Sequence, residues 1–183
     1  RVGIGMYGLS PDPSVKSARQ LGIEAAMTLS APLTSVKVIE EGTPASYGGT
    51  WQAPTRRWIG LVPLGYGDGI LRACSNGAPV VVETERGLFP TQIIGRVCMD
   101  QFMIDLGPAE GEAGTPTSAS GRPPARVGER ALLFGDPEKG CPSADKWAIR
   151  AGTINYEIVT RLGAHIPRTY VRSGAERTQH GRN

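Results

Sequence analysis

The apolar positions fall into two kinds of pattern. "AMTLSAPLTSVKVIEEG" alternates: Met27, Leu29, Ala31 and Leu33 share one face, and Val36 and Val38 lie on the opposite parity. Alternation marks a strand with one buried face, and the change of parity near Thr34–Ser35 predicts a β-bulge or bend in one long strand. "RWIGLVPLG" (57–65) is apolar on both parities and predicts a strand buried on both faces. "PVVVETERGLFPTQII" predicts a hairpin around Glu85-Arg86-Gly87, "GRVCMDQFMIDLG" a turn-interrupted strand, and "RALLFGD" (130–136) a further short strand. Residues 1 to 8 predict a buried strand followed by a turn, and "HIPRTYV" a final strand. Helical spacing comes late. Ser143 is placed to cap "ADKWAIRA", with Asp145 favourable for the helix dipole, and Thr153 to cap "INYEIVTRL". On the second helix Ile154, Ile158 and Leu162 form a stripe at i, i+4, i+8, and at about 100° per residue Tyr156 points roughly opposite it.

Composition sharpens this picture in one direction. The 183 residues suffice for one domain with its own core, and 25 glycines with 15 prolines favour turns and β structure. The fold expected is mainly β, barrel-like, with one or two short helices. "LSPDPS" (9–14) reads as a loop, 108–128 as a mobile insertion rich in Pro, Gly, Ser and Ala, and 173–183 as a flexible polar tail. The net charge of +3 comes without a basic run, which argues against a nucleic-acid partner. No apolar stretch is long enough to span a membrane, and no signal-peptide pattern opens the chain. Cys74, Cys98 and Cys141 are odd in number and widely spaced, as for reduced thiols in the cytoplasm, and no paired Cys or His spacing suggests a metal. The opening "RVGIGMYG", without a methionine, reads as a cut inside a larger protein.

Four segments join glycine turns to tyrosine, arginine or aspartate: "ASYGGTW" (45–51), "LGYGDGILR" (64–72), "GRVCMDQ" (95–101) and "TINYE" (153–157). Singly, each is an ordinary turn with a half-buried ring. Asp68 is then a turn aspartate, Met99 core filler, and Arg96 with Asp100 a structural ion pair. In this order and spacing, the four together resemble the C-terminal domain of pyridoxal-phosphate-dependent alanine racemase, from Arg1 to about Val171. Val2 stands where that family usually has proline and Gly67 where it usually has alanine; neither position supplies a functional side chain.

The resemblance implies a division into 1–22, the last segment of an N-terminal (β/α)8 barrel that holds the cofactor, and 23–172, the C-terminal β domain. It implies interconversion of L- and D-alanine, with D-alanine destined for peptidoglycan, by two proton-transfer groups on opposite faces of the α-carbon. Tyr47 matches the catalytic tyrosine of one face. The lysine of the other face, which also binds the cofactor covalently, has no match among Lys16, Lys37, Lys139 and Lys146, so the chain alone is expected to be inactive. Arg1 matches the arginine at the pyridine nitrogen, Gly3 and Ile4 match phosphate-binding backbone amides, and Tyr156 matches a tyrosine reaching the phosphate. Met99 matches the residue whose backbone N–H holds the substrate carboxylate. Tyr66, Arg96 and Ile154 match positions lining the narrow way into the site. The family works as a head-to-tail homodimer, with Tyr47 and Met99 serving the other subunit's barrel. Two other readings stand beside this one: a racemase for another amino acid such as serine, and a non-catalytic β-barrel binding or dimerisation module.

Overall fold

In the computed structural model, which describes residues 3–109 and 122–171, the alternating stretches become nine strands. They are β1 (Leu29–Pro32), β2 (Ser35–Ile39), β3 (Pro44–Ala45), β4 (Trp51–Gln52), β5 (Arg57–Val62), β6 (Pro79–Thr84), β7 (Gly87–Ile94), β8 (Phe102–Pro108) and β9 (Arg130–Phe134). Seven form one antiparallel sheet in the order β1-β9-β6-β7-β8-β5-β2, and β3 with β4 forms a separate ribbon.

The parity change at Thr34–Ser35 is larger than a bulge. It divides two strands that occupy opposite edges of the sheet, β1 beside β9 and β2 beside β5. Seven flat strands would hold those edges roughly 29 Å apart, at about 4.8 Å per strand. The three peptide steps from Pro32 to Ser35 reach at most about 11 Å. The sheet therefore curls. Leu33 donates its N–H to Glu129 (2.8 Å) and accepts from Gly128 (2.8 Å), whereas Thr34 donates to Leu61 (3.0 Å). Successive residues thus bond to opposite margins of the sheet, and the barrel-like form expected from the sequence is the one observed.

Inside the curl, β8 buries every second residue: Phe102, Ile104, Leu106 and Pro108. Of these, Phe102, Ile104 and Leu106 meet Leu33, Val62, Val80, Val82, Ile93, Ala131 and Leu133 in the main core. A smaller cluster of Ala45, Ile59 and Ile94, with Ile39, Trp51 and Met103 against it, seats the β3–β4 ribbon. The predicted hairpin is β6–β7, with Thr84 paired to Gly87 across Glu85-Arg86, and Gly87 at φ +113° takes the left-handed conformation such a turn requires.

Helix α1 (Ala144–Ala151) begins at Ser143, whose hydroxyl accepts from the Lys146 N–H (3.1 Å). Its Trp147 is fully buried, stands edge-on to Phe134 and donates Nε1–H to the Pro79 carbonyl (2.9 Å). Helix α2 (Asn155–Thr160) is shorter than expected and starts at a different cap. Ile154, not Thr153, is the N-cap, and Thr153 instead donates its hydroxyl to Glu157. That bond, followed by those from Arg161, holds the Glu157 carboxyl below its ordinary pKa. The stripe Ile154–Ile158–Leu162 is not the core face: Ile154 is exposed and Leu162 lies beyond the helix, while Asn155, Ile158 and Val159 are buried. Tyr156 is half-buried against the main core, not turned away from it.

Two further expectations fail. Gly3–Tyr7 forms a 3-10 helix rather than a strand, and "HIPRTYV" pairs with no strand. The expectations for the tail at 173–183 and for most of the 108–128 insertion lie outside the described residues. No helix among those described is long and apolar enough to cross a membrane.

Leu33 is 1% exposed at the closure, so Leu33→Ala should destabilise the chain by about 2–5 kcal/mol in urea unfolding. Conservation of wild-type stability would remove closure as the constraint on the fold. Burial pushes the Cys74 thiol from 9.0 up to about 11, with Arg150 pulling weakly the other way. Below pH 9 the thiol is protonated in folded and unfolded chains alike and stability is insensitive to it. Between pH 9 and 11 only the unfolded chain has released that proton, so rising pH favours unfolding. Stability relative to Cys74→Ala should therefore decline across pH 9–11, as read from urea midpoints at each pH.

Candidate active site

The site is assembled on one rim of the barrel. Val62 pairs with Phe102 at the end of β5 and the start of β8, which puts the turns at 63–70 and 95–101 side by side. The ribbon adds a third turn, Tyr47–Gly49, between β3 and β4.

Tyr47 stands at the ribbon's tip, 74% exposed, and no group among the described residues engages its hydroxyl. The backbone beneath it is held firmly. Ser46 adopts φ +63° with ψ −174°, a positive-φ conformation that costs a non-glycine residue of order 1 kcal/mol or more. Its hydroxyl donates to the Arg96 carbonyl (2.7 Å) and also lies 3.2 Å from the Cys98 sulfur. Gly95 permits the approach: a Cβ there would lie 2.5 Å from the Ala45 carbonyl oxygen. The Arg96 guanidinium lies over Gly48, close enough that a Cβ on Gly48 would be 3.2 Å from its central carbon. Arg96 makes no ion pair with Asp100 among the described residues.

The second and third turns lock backbone to backbone. Tyr66 donates its N–H to Cys98 O (2.9 Å) and Gly67 to Met99 O (2.8 Å). Gly65 lies so near that a Cβ would be 2.2 Å from the Met99 carbonyl oxygen. Asp68 closes the turn by accepting from the Gly65 N–H (2.7 Å), as a turn aspartate should, and its other oxygen is 2.7 Å from His165 Nε2. Met99 is 55% exposed and so is not core filler. Its carbonyl is occupied by Gly67, and its N–H has no acceptor within the described chain. An amide donor left without an acceptor on a braced turn suits an anionic group such as a carboxylate. Tyr66, 46% exposed, projects beside it.

The remaining predicted residues belong to a second group around α2. Asn155, 3% exposed, donates Nδ2–H to the Ser10 carbonyl (2.8 Å) and to Asp145 (2.7 Å). It thereby ties the N-terminal segment to both helices and places Ile4, which is buried in the main core, and the exposed Gly3 on this body. Ile154 is exposed at the cap, and no group among the described residues engages the Tyr156 hydroxyl. Arg1 lies outside the described residues. The structure thus joins the turns that carry Tyr47, Tyr66, Arg96 and Met99 through bonds made by them and by their neighbours Ser46, Gly67 and Cys98, and groups Ile154 and Tyr156 at one short helix.

Sequence reasoning overlooked the supports. Ser46 is part of the segment that carries Tyr47, but nothing local marks its contact with Arg96. The Asp68–His165 contact spans 97 positions and has no local signature. Among the described residues no group of His, Cys, Asp and Glu is arranged to hold a metal ion.

The family model described as "Alanine racemase, C-terminal domain" matches residues 26–170. The chain is 44% identical over 171 residues to the alanine racemase of Streptomyces coelicolor, covering 93% of this chain and 39% of that protein. It is likewise 44% identical over 170 residues to that of Thermobifida fusca, covering 93% and 40%. The solved structure of the Streptomyces coelicolor A3(2) alanine racemase superposes with a TM-score of 0.79 at 43% identity, over 92% of this chain and 39% of that one. The chain therefore spans about two fifths of the length of the relatives it matches.

Gly65→Ala should force the Tyr66 and Met99 turns apart, because the atoms a Cβ meets are backbone. The expected cost is about 1–3 kcal/mol, the range for an overpacked site. Hydrogen exchange at the Tyr66 and Gly67 amides should accelerate more than at β6. Unchanged protection of those two amides would refute the interlocking of the turns.

Proposed function

The chain belongs to the alanine racemase family as a C-terminal domain, and from that premise we propose that it carries one of the two proton-transfer groups of a pyridoxal-phosphate-dependent racemase acting on alanine. The observation that carries this reading is Tyr47: a large aromatic, 74% exposed, on a backbone that the protein strains and hydrogen-bonds into place. A solvent-facing turn with no task requires neither the strain nor the clamp.

In this reading residues 1–22 end the cofactor-binding barrel, 23–172 form the β domain and 173–183 are a tail. The described residues fit a phosphate-bearing cofactor in two respects. Among the described residues no group engages the Tyr156 hydroxyl, and none comes within 4 Å of where a Cβ on Gly3, at φ +55°, would stand, which leaves the Gly3 backbone open. Arg1 would bond the pyridine nitrogen. When bound, pyridoxal phosphate supplies an electron sink for negative charge at the substrate α-carbon.

The chain's own residues then have separate tasks. The Met99 N–H holds the substrate carboxylate and so fixes which face of the α-carbon meets Tyr47. Tyr47 Oη takes the α-proton of L-alanine, or returns one to the same face, while the barrel's lysine serves the opposite face. Tyr66, Arg96 and Ile154 narrow the approach and limit water and larger substrates. Because Tyr47 and Met99 project outward from this domain, the reading has them act in the barrel of the partner in a head-to-tail homodimer. Such an enzyme supplies D-alanine for peptidoglycan in the cytoplasm of a bacterium.

In the full-length enzyme Tyr47→Phe should lower racemisation by roughly 10²–10⁴-fold, the usual worth of a general acid–base group. Cofactor absorbance should be retained. The α-hydrogen of D-alanine should still exchange in deuterated water, while exchange from L-alanine falls sharply. Mixed dimers, one subunit Tyr47→Phe and the other lacking the cofactor lysine, should regain one working site. Equal loss of exchange from both enantiomers would defeat the assignment of Tyr47 to one face.

A further inference from the structure

The turn that presents Tyr47 is gripped at both ends, and only one grip lies in the segments considered so far. Ser46 precedes Tyr47 and bonds to Arg96. Thr50 follows the Tyr47–Gly49 turn as its C-cap, and its Oγ1 accepts a hydrogen bond from Asn76 Nδ2 (3.0 Å). Asn76 belongs to none of the segments that carry Tyr47, Tyr66, Arg96 or Met99.

Asn76 is built for that contact. It is one of two non-glycine residues among those described with positive φ, at +54°, and the other is Ser46 itself. Asparagine visits positive φ several-fold more readily than most residues, and the neighbours of Asn76 hold it there. The neighbours are on the page. The Asn76 N–H donates to Gly95 O (3.2 Å), in the turn that also receives Ser46. The carbonyls of Ser75 and Asn76 both accept from Arg150 Nη2, at 2.5 and 2.6 Å, on the last turn of α1. Ser75 Oγ accepts from the Val97 N–H (3.0 Å). Beside it Gly77, at φ +143°, leaves room for the Arg150 side chain: a Cβ there would stand 2.8 Å from Nε.

We propose that Asn76, set by Arg150, is a positioning residue for Tyr47, acting through the Thr50 hydroxyl to hold the far end of the Tyr47 turn. This rests on the reading of Tyr47 as a proton-transfer group. The two strained residues bracket one turn: Ser46 fixes its entrance and Asn76 its exit. A proton transfer demands donor and acceptor within hydrogen-bond reach, so a tyrosine on a turn held at one end only spends less time in the productive position.

The test uses the full-length enzyme and α-hydrogen exchange in deuterated water from each alanine enantiomer. Thr50→Val removes the acceptor with little change of shape. Asn76→Gly removes the donor and keeps the left-handed backbone accessible. Each should slow exchange from L-alanine by about threefold to tenfold, the range that one neutral hydrogen bond contributes. Exchange from D-alanine should be unchanged in both. The double variant should be no slower than either single one, since both remove the same bond. Thr50→Ser, which keeps the acceptor, should restore the L-alanine rate. Equal slowing for both enantiomers, or no slowing, overturns the proposal, as does failure of the serine variant to restore the rate. Tyr47→Phe in the same assay separates the two ideas: loss confined to L-alanine there, with none in Thr50→Val, leaves the Tyr47 reading standing and removes this one.

Discussion

Closure of the sheet through Leu33–Thr34 is the constraint from which the rest of the architecture follows. Two residues join the opposite edges of a seven-stranded sheet, and their backbone bonds divide between Glu129 on one side and Leu61 on the other. A sheet so joined encloses its own core, so the alternating residues of β8 and the unbroken apolar run of β6 meet without a second sheet. It also fixes which strand ends share a rim. Because β5 and β8 pair through Val62 and Phe102, the turns after β5 and before β8 must be neighbours. The site is a consequence of strand register before it is a matter of any side chain.

On that rim, order is supplied by the main chain and exposure is reserved for side chains. Gly65 and Gly95 bring the turns closer than a Cβ would allow, and the resulting contacts run from the Tyr66 and Gly67 N–H groups and the Ser46 hydroxyl to backbone carbonyls. Amides held in this way lose little by being fixed, since their freedom is already spent in folding. Tyr47, Tyr66 and Met99 then stand out from an ordered base. Burial of these side chains in the domain's own core would have been cheaper for folding by the ordinary hydrophobic measure. Large side chains left exposed together on an ordered base mark a surface for binding.

Much of this was legible along the chain, and the limits of legibility have physical causes. The hairpin turning at Glu85-Arg86, the strand at 130–134 and the Ser143 cap depend on residues adjacent in sequence, and periodicity or capping chemistry reveals them. The parity change at Thr34–Ser35 was visible, but a bulge and a passage between sheet edges leave the same mark; only the remote partners of Leu33 and Thr34 distinguish them. The i, i+4, i+8 stripe on α2 misled because Asn155, polar and therefore off the stripe, is the residue drawn inward, where Ser10 and Asp145 satisfy it. "HIPRTYV" has strand-forming residues but finds no strand to pair with, and β propensity without a partner does not make a strand. Met99 and Tyr47 were legible as candidates from the combination of segments, whereas Asp68–His165 and Asn76–Thr50, 97 and 26 residues apart, were not.

The division of the candidate residues into two groups bears on how such a site could be completed. Tyr47, Tyr66, Arg96 and Met99 hang together through turns on the barrel rim, whereas Ile154 and Tyr156 sit on a helix that Asn155 fastens to the N-terminal segment. The first group is anchored to strands and the second to the segment around Ser10. A surface partner could approach the rim without disturbing α2, and a preceding domain could align with α2 without touching the rim. The two groups are therefore braced independently, the rim by strand register and backbone bonds and α2 by the buried Asn155 amide.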